Sequence, residues 1–388
     1  MKRIFAFLLS ILLGFGSTVP SAYAVTAQTE AAESTAKLAL PCRSAILIEQ
    51  TTGQVLYEAN ADERLPIASV TKIMTLLLVM EALEAGTVHL EDQVPISELA
   101  ASMGGSQVYL EPGESITLEE VLKAVFVASA NDGAVALAEL ISGSVEGFVA
   151  AMNERARALG MHDTVFYNPT GLDDVETGLS TARDVATMSA ALLRHEKIYD
   201  WSTIWIDSIR GGAFGLSNTN KLVRFYPGAT GLKTGSTAKA KYCISASAER
   251  NGLKLCAVVL AGESSQDRFQ SAKTLLDHGF ANYAYYSPED ISPEPVKVWG
   301  GVKERVGVSI PKEGFLLPKN QSVGLVPEIQ LASEVQAPVE KGQSLGKILY
   351  KKDGQVIREM PLLAEDSVEA LGYWDVFCIL VRHFFAGI

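Results

Sequence analysis

The segment Leu65-Pro-Ile-Ala-Ser69-Val-Thr-Lys72-Ile-Met-Thr75 organises the first half of the chain. Pro66 and Ser69 supply a helix start signal, and Ile73, Leu76, Leu77, Met80 and Leu83 then recur at helical spacing. The bare pattern S-x-x-K occurs five times, at Ser34, Ser69, Ser236, Ser309 and Ser344, so its presence alone carries little weight. Only Ser69 opens a long amphipathic helix. There, a spacing of three residues sets serine and lysine on one face, and the helix N-terminus favours developing negative charge.

Two further motifs follow in order, Ser129-Ala-Asn131 and Lys233-Thr234-Gly235, and each pattern occurs once. Together the three describe acyl transfer by a serine without a histidine. A serine hydroxyl is a poor nucleophile until a base takes its proton. A lysine one turn away serves if burial and cationic neighbours lower its pKa. None of the five histidines, His89, His162, His195, His278 and His383, lies in a G-x-S-x-G or H-E-x-x-H context, which argues against a Ser-His-Asp triad and a zinc site. Neither a metal nor a cofactor is implied.

The order and spacing of the motifs resemble the active-site serine enzymes that include penicillin-binding proteins and class A β-lactamases. The likeness is greatest to the low-molecular-mass D-alanyl-D-alanine carboxypeptidases. Leu65–Thr75, Val127-Ala-Ser-Ala-Asn-Asp132 and Gly231-Leu-Lys-Thr-Gly-Ser-Thr237 look like their three motifs; Asn168-Pro-Thr-Gly-Leu172, Ser180-Thr-Ala-Arg-Asp184 and Ala337-Pro-Val-Glu-Lys-Gly342 look like other family segments. The resemblance implies that Ser69 attacks the carbonyl between two D-alanines of a peptidoglycan stem peptide, or a β-lactam, and that Lys72 takes its proton. Ser129 then relays a proton to the departing D-alanine, and Asn131 holds Lys72 or the substrate amide. Lys233 and Thr234 bind the terminal carboxylate, Gly235 allows close backbone approach, and the N–H groups of Ser69 and Ser236 hold the oxyanion. Arg268 matches a carboxylate-binding arginine of the family.

The pattern also departs from the family. Lys241 stands where these enzymes usually carry glycine, and Ser236 where many carry histidine. A long side chain at Lys241 is expected to narrow the pocket or to add positive charge for a diacid peptide. The same motif set also fits a DD-endopeptidase, a β-lactamase or a silent penicillin-binding sensor. No E-x-x-L-N segment lies between Asn131 and Lys233 to supply a β-lactamase base, and an intact Ser69, Lys72 and Lys233 speak against a silent protein.

Outward from the motifs, the expected fold is α+β. A transpeptidase-like catalytic domain over residues 38–286, with an antiparallel sheet flanked by helices and a helical subdomain, precedes a small all-β domain over 296–364. Ser44–Glu49 and Gln54–Glu58 read as a hairpin around Thr51-Thr52-Gly53, and a second hairpin turns at Asn251-Gly252. Leu118–Ile141 and Val145–Leu159 keep helical periods, as does Ser264–Tyr283, and Gly104-Gly105-Ser106 reads first as a simple connection and second as a loop at the rim of the cleft. Pro288, Pro293 and Pro295 mark a linker. The β domain then alternates short β-rich runs with turns such as Asp353-Gly354.

At the N-terminus, Lys2 and Arg3, an apolar run from Ile4 to Phe15 and the small-x-small site Ala22-Tyr-Ala24 read as a signal peptide over residues 1–24, followed by a linker over 25–37. At the other end, Ser367–Ile388 is helical in period. Trp374, Phe377, Val381, Phe384 and Phe385 fall on one side, with Glu369, Asp375, Arg382 and His383 on the other; this suits a helix lying on a membrane surface. The formal charge of -12 argues against nucleic acid as a partner. Of the four cysteines, Cys243 and Cys256 sit on the Asn251-Gly252 hairpin. Its register faces Cys256 with Ser247 and leaves Cys243 about 13 Å away, beyond disulfide reach, so the thiols are expected to be free.

Overall fold

The computed structural model describes residues 38–172, 178–288, 291–311 and 313–386. The expected signal peptide and linker lie outside the described residues.

A five-stranded antiparallel sheet forms the centre of the first half, in the order Val55–Ala59, Ser44–Glu49, Leu253–Gly262, Lys241–Arg250, Ala229–Thr237. Side chains alternate across a strand, so a strand covered on both faces reads as an unbroken apolar run. Ser44-Ala-Ile-Leu-Ile-Glu49 behaves this way: all six residues are buried, Ile46 and Ile48 in one core, Ala45 and Leu47 in the other. Helix Ser265–Asn282 covers the second face and brings Leu275 and Leu276 into its core.

The first face is covered by helix Lys72–Glu84 and its neighbours. This helix was expected to be amphipathic and is not. Lys72, Ile73, Met74, Thr75, Leu76, Leu77, Val79 and Met80 are all buried, because the helix lies between the sheet and the helical subdomain and has no solvent face until Glu81. The expected continuous helix over Leu118–Ile141 is also broken. Helix Leu118–Lys123 passes into a π-helical turn, Ala124–Ala128, and stops at Ser129, whose φ of 61° is left-handed; helix Asn131–Ser142 then starts afresh. Single π turns of this kind recur at functional sites.

Both hairpin turns form as their sequences require. Asn251 and Gly252 have φ of 51° and 77°, Asp353 and Gly354 have 49° and 80°, and both pairs connect strands without an intervening residue. Arg250 pairs with Leu253 and Ser247 with Cys256, and all four cysteines are free.

The second half is a set of small sheets around a core that includes Val296, Val298, Phe315, Ile348, Tyr350 and Leu362. Two boundaries shift from expectation. Strand Tyr283–Tyr286 pairs with Phe315–Pro318, with Tyr283 and Tyr285 packed on the core of the five-stranded sheet and Tyr286 on the β core, so it joins the two halves rather than closing the first. At the far end, Ser367–Gly372 is not helical: Val368 bridges Val339 and is buried in the β core, and Ala370 bridges Gly301. The terminal helix is Tyr373–Ala386. Asp375 therefore lies in its first turn, where it accepts a hydrogen bond from the Gly372 N–H at 2.8 Å. Trp374, Phe377, Leu380, Phe384 and Phe385 are all exposed.

Candidate active site

Three elements converge on Ser69. The first is its own turn, the 3-10 segment Ala68–Thr71 that leads into helix Lys72–Glu84. One turn on, Lys72 is wholly buried, and its Nζ lies 2.9 Å from Ser69 Oγ, 2.6 Å from Asn131 Oδ1 and 2.9 Å from the Thr170 carbonyl. An ammonium has three donors, and these three acceptors use them all. Once deprotonated, the amine keeps two N–H groups for Asn131 and Thr170 and turns its lone pair to Ser69 Oγ. An amine so placed can take the Ser69 proton and no other.

Burial, and then the positive charge of Lys233, hold the Lys72 amine well below the ordinary lysine range; the Asp132 carboxylate opposes them. That depression is what a general base needs near neutral pH.

The second element is the break at Ser129. Its left-handed backbone turns Oγ toward the edge strand, where Lys233 Nζ donates to it at 2.7 Å. Asn131, next but one, is fixed from both ends of its amide. Oδ1 accepts from Lys72, while Nδ2 donates to the Gly104 carbonyl at 2.6 Å. Its backbone N–H also donates to the Ser106 carbonyl at 2.7 Å. The Gly104-Gly105-Ser106 turn thus contacts the site, which favours the rim-loop reading over the simple connection. A side chain at Gly105 would lie 2.8 Å from Asn131 Nδ2. Asp132 fastens the same loop by accepting from the Val108 and Leu110 N–H groups.

The third element is edge strand Ala229–Thr237. Lys233 and Thr234 are buried, and Thr234 Oγ1 donates to Thr219 Oγ1 at 2.8 Å. Burial, and then Arg268, lower the Lys233 amine to about 7. Gly235 faces the Ser69 turn so closely that a Cβ there would meet Ile67 O at 2.7 Å and Ser69 N at 2.8 Å. Ser236, one residue on, is exposed. Arg268 is no surface residue: it is buried behind the strand, donates to the Gly235 carbonyl at 3.0 Å and packs over Phe269 and Tyr242.

All the motif residues expected from sequence thus meet in one place, with Arg268 one layer behind. Sequence reasoning missed the Thr170 carbonyl, the Gly104–Ser106 turn, Asp132 and Thr219. Thr170 and Asp132 had a signal, through the segments Asn168–Leu172 and Val127–Asp132, and the Gly104–Ser106 turn had a weaker one as a candidate rim loop; Thr219 had none. Lys241 also differs from expectation. Its Nζ is paired with both carboxylate oxygens of Glu263 at 2.8 Å, so its charge is already neutralised, and its φ of 54° explains why glycine suits this position.

Residues 28–264 match the family model described as D-alanyl-D-alanine carboxypeptidase. The chain belongs to that family. Its residues 281–370 match a second model, the C-terminal domain of penicillin-binding protein 5. Among relatives of this D-alanyl-D-alanine carboxypeptidase family, D-alanyl-D-alanine carboxypeptidase DacF of Bacillus subtilis is 41% identical over 96% of each chain. D-alanyl-D-alanine carboxypeptidase DacC of Escherichia coli is 33% identical over 95% of this chain and 94% of its own. The crystal structure of penicillin binding protein 5 from Haemophilus influenzae superposes with a TM-score of 0.73 at 30% identity, covering 87% of this chain and 100% of that one. The family's assignment as serine-type D-Ala-D-Ala carboxypeptidases, penicillin-binding enzymes of the cell wall, applies to this chain.

Proposed function

We propose that the chain removes the terminal D-alanine from peptidoglycan stem pentapeptides through an acyl-enzyme on Ser69, by the following division of labour. Lys72, neutral, takes the Ser69 proton as Oγ attacks the carbonyl between the two D-alanines. The oxyanion is held by the N–H groups of Ser69 and Ser236. Ser129 Oγ, holding the Lys233 donor on one side, passes a proton to the leaving amine. Lys233 and Thr234 take the terminal carboxylate, with Arg268 adding positive charge behind the strand. Water then hydrolyses the ester. The carrying observation is the Lys72 ammonium shared among Ser69 Oγ, Asn131 Oδ1 and the Thr170 carbonyl.

The test joins two measurements on the purified protein. Intact-protein mass after penicillin treatment should show one adduct that Ser69→Ala abolishes. Incubation with a pentapeptide should release D-alanine. An adduct on another residue overturns the nucleophile, and an acylated enzyme that releases no D-alanine overturns the carboxypeptidase reading.

The same proposal places the enzyme at the outer face of the cytoplasmic membrane, exported by its N-terminal segment. Helix Tyr373–Ala386 serves as the surface anchor. Its 14 residues span about 21 Å, short of the ~30 Å hydrocarbon core. Tyr373, Trp374, Phe377, Leu380, Val381, Phe384 and Phe385 form an exposed arc, while Asp375 and Arg382 lie opposite.

A further inference from the structure

We propose that the Lys241–Glu263 ion pair is a specificity clamp for a stem-peptide side chain that ends in an α-amino carboxylate, as a diaminodicarboxylic residue does. This rests on the carboxypeptidase reading above and names the peptide it prefers.

Direction along the edge strand comes first. The terminal carboxylate is assigned to Lys233 and Thr234, and the bond to be cut lies where Gly235 meets the Ser69 turn. The rest of the peptide must leave the other way, past Ser236 and Thr237. An extended chain advances about 3.3 Å per residue. The acylated D-alanine therefore occupies the level of Gly235 and Ser236, and the residue before it reaches Thr237. Thr237 pairs across the strands with Lys241.

Face is the second step. Gly235 and its cross-strand partner Cys243 share the face that looks onto the nucleophile turn: Gly235 approaches Ser69 N, and Cys243 Sγ lies 3.8 Å from the Pro66 carbonyl. Thr237 stands two residues further along its strand, which returns it to that face, and Lys241, its cross-strand partner, closes the end of the same two strands with a left-handed φ. The turn between them is braced, since the Ala240 N–H donates to Thr237 Oγ1 at 3.0 Å.

Charge is the third. Lys241 Nζ contacts both Glu263 oxygens at 2.8 Å, and the two side chains are 43% and 62% exposed. An exposed pair of this kind is weakly held and open to exchange. A side chain ending in an α-amino carboxylate carries the same two charges: its carboxylate fits Lys241 and its ammonium fits Glu263. A side chain ending in an amine alone satisfies only Glu263 and leaves Lys241 without its partner. The backbone adds a further point. Lys241 keeps a left-handed φ of 54° that glycine would hold without strain, so this chain retains a costly residue opposite Thr237.

The experiment measures kcat/KM on the full-length protein for two pentapeptides ending in D-Ala-D-Ala, one with meso-diaminopimelate and one with L-lysine at the third position. With two exposed charge contacts each worth a few-fold, the wild type should prefer the first by about tenfold. In Lys241→Gly, which suits the backbone, the ratio should fall to about one; in Glu263→Gln, which keeps the shape, it should fall by about threefold. A ratio in Lys241→Gly equal to that of the wild type, or no preference in the wild type, overturns the clamp and leaves the carboxypeptidase reading standing. Penicillin acylation with hydrolysis of neither peptide overturns both.

Discussion

Replacing Gly235 by alanine tests the proposal that acylation depends on how closely the edge strand approaches the Ser69 turn. The new Cβ would sit 2.7 Å from Ile67 O, 2.8 Å from Ser69 N and 2.9 Å from Val70 N. All three are backbone atoms of the nucleophile turn, so no side chain can rotate away. Restoring a tolerable 3.4 Å requires the strand and the turn to part by about 0.7 Å. Overpacking of this kind costs roughly 1–3 kcal/mol of stability. Its larger effect is on rate, because the separation moves Ser69 N–H and Oγ away from Ser236 and Lys233. A misplacement of about 1 Å can cost 10²-fold, so a loss of tenfold to 10²-fold is expected here. Gly235 does not lie in the left-handed region, so backbone preference contributes nothing to the loss. Stopped-flow acylation with a fluorescent penicillin measures the rate, and thermal unfolding measures the packing cost. Acylation within twofold of the wild type would refute the argument that Gly235 sets the approach of the strand to the nucleophile.

Lys72→Met should keep the fold, since methionine fills most of the buried stem, and should slow acylation by about 10²–10⁴-fold; a loss under tenfold would place the base elsewhere. In the pH profile, activity should rise with pH through the depressed Lys72 titration, as the amine becomes neutral. For a peptide with a terminal carboxylate, kcat/KM should fall again above the Lys233 value of about 7, as that charge is lost. An ester lacking the carboxylate should keep the first limb and lack the second; the same alkaline limb on both would remove Lys233 from carboxylate recognition. Ending the chain at Leu371 should release the protein from membranes while preserving its unfolding transition. Unchanged partitioning would count against the helix as the anchor. The cut must not fall at Asp366, because Val368 belongs to the β core.

Much of the fold was legible wherever chemistry ties a residue type to a backbone shape. Asn-Gly and Asp-Gly form their hairpins because both central residues need positive φ, and the unbroken apolar run at Ser44–Glu49 belongs to a strand covered on both faces. The missed boundaries have the opposite character. Across Ser129 the apolar period continues, and a π turn that shifts it by one residue leaves no trace in composition. At Ser367–Gly372, Val368 and Leu371 fit a helical wheel as well as a β bridge, and only the pairing of Val368 with Val339 decides between them.

The site divides along the same line. Ser69, Lys72, Ser129, Asn131 and Lys233 were legible because each contributes a side chain that few other residues replace. The Thr170 carbonyl was not, since every residue carries one and only the fold chooses which is aimed at Lys72. What brings it there is a glycine. Gly171 has a φ of 77°, and a Cβ on it would lie 1.9 Å from the Ala68 carbonyl, so Asn168–Leu172 reaches the nucleophile turn only because the side chain is missing. The same logic joins Gly105 to Asn131 and Gly235 to Ser69. Three glycines in three separate segments let the backbone close around one lysine and one serine. The burial that depresses Lys72 thus depends also on residues that contribute no side chain to the chemistry; motif reading named Gly235 and held Gly171 within a family segment, but only the fold shows which backbone each one lets approach.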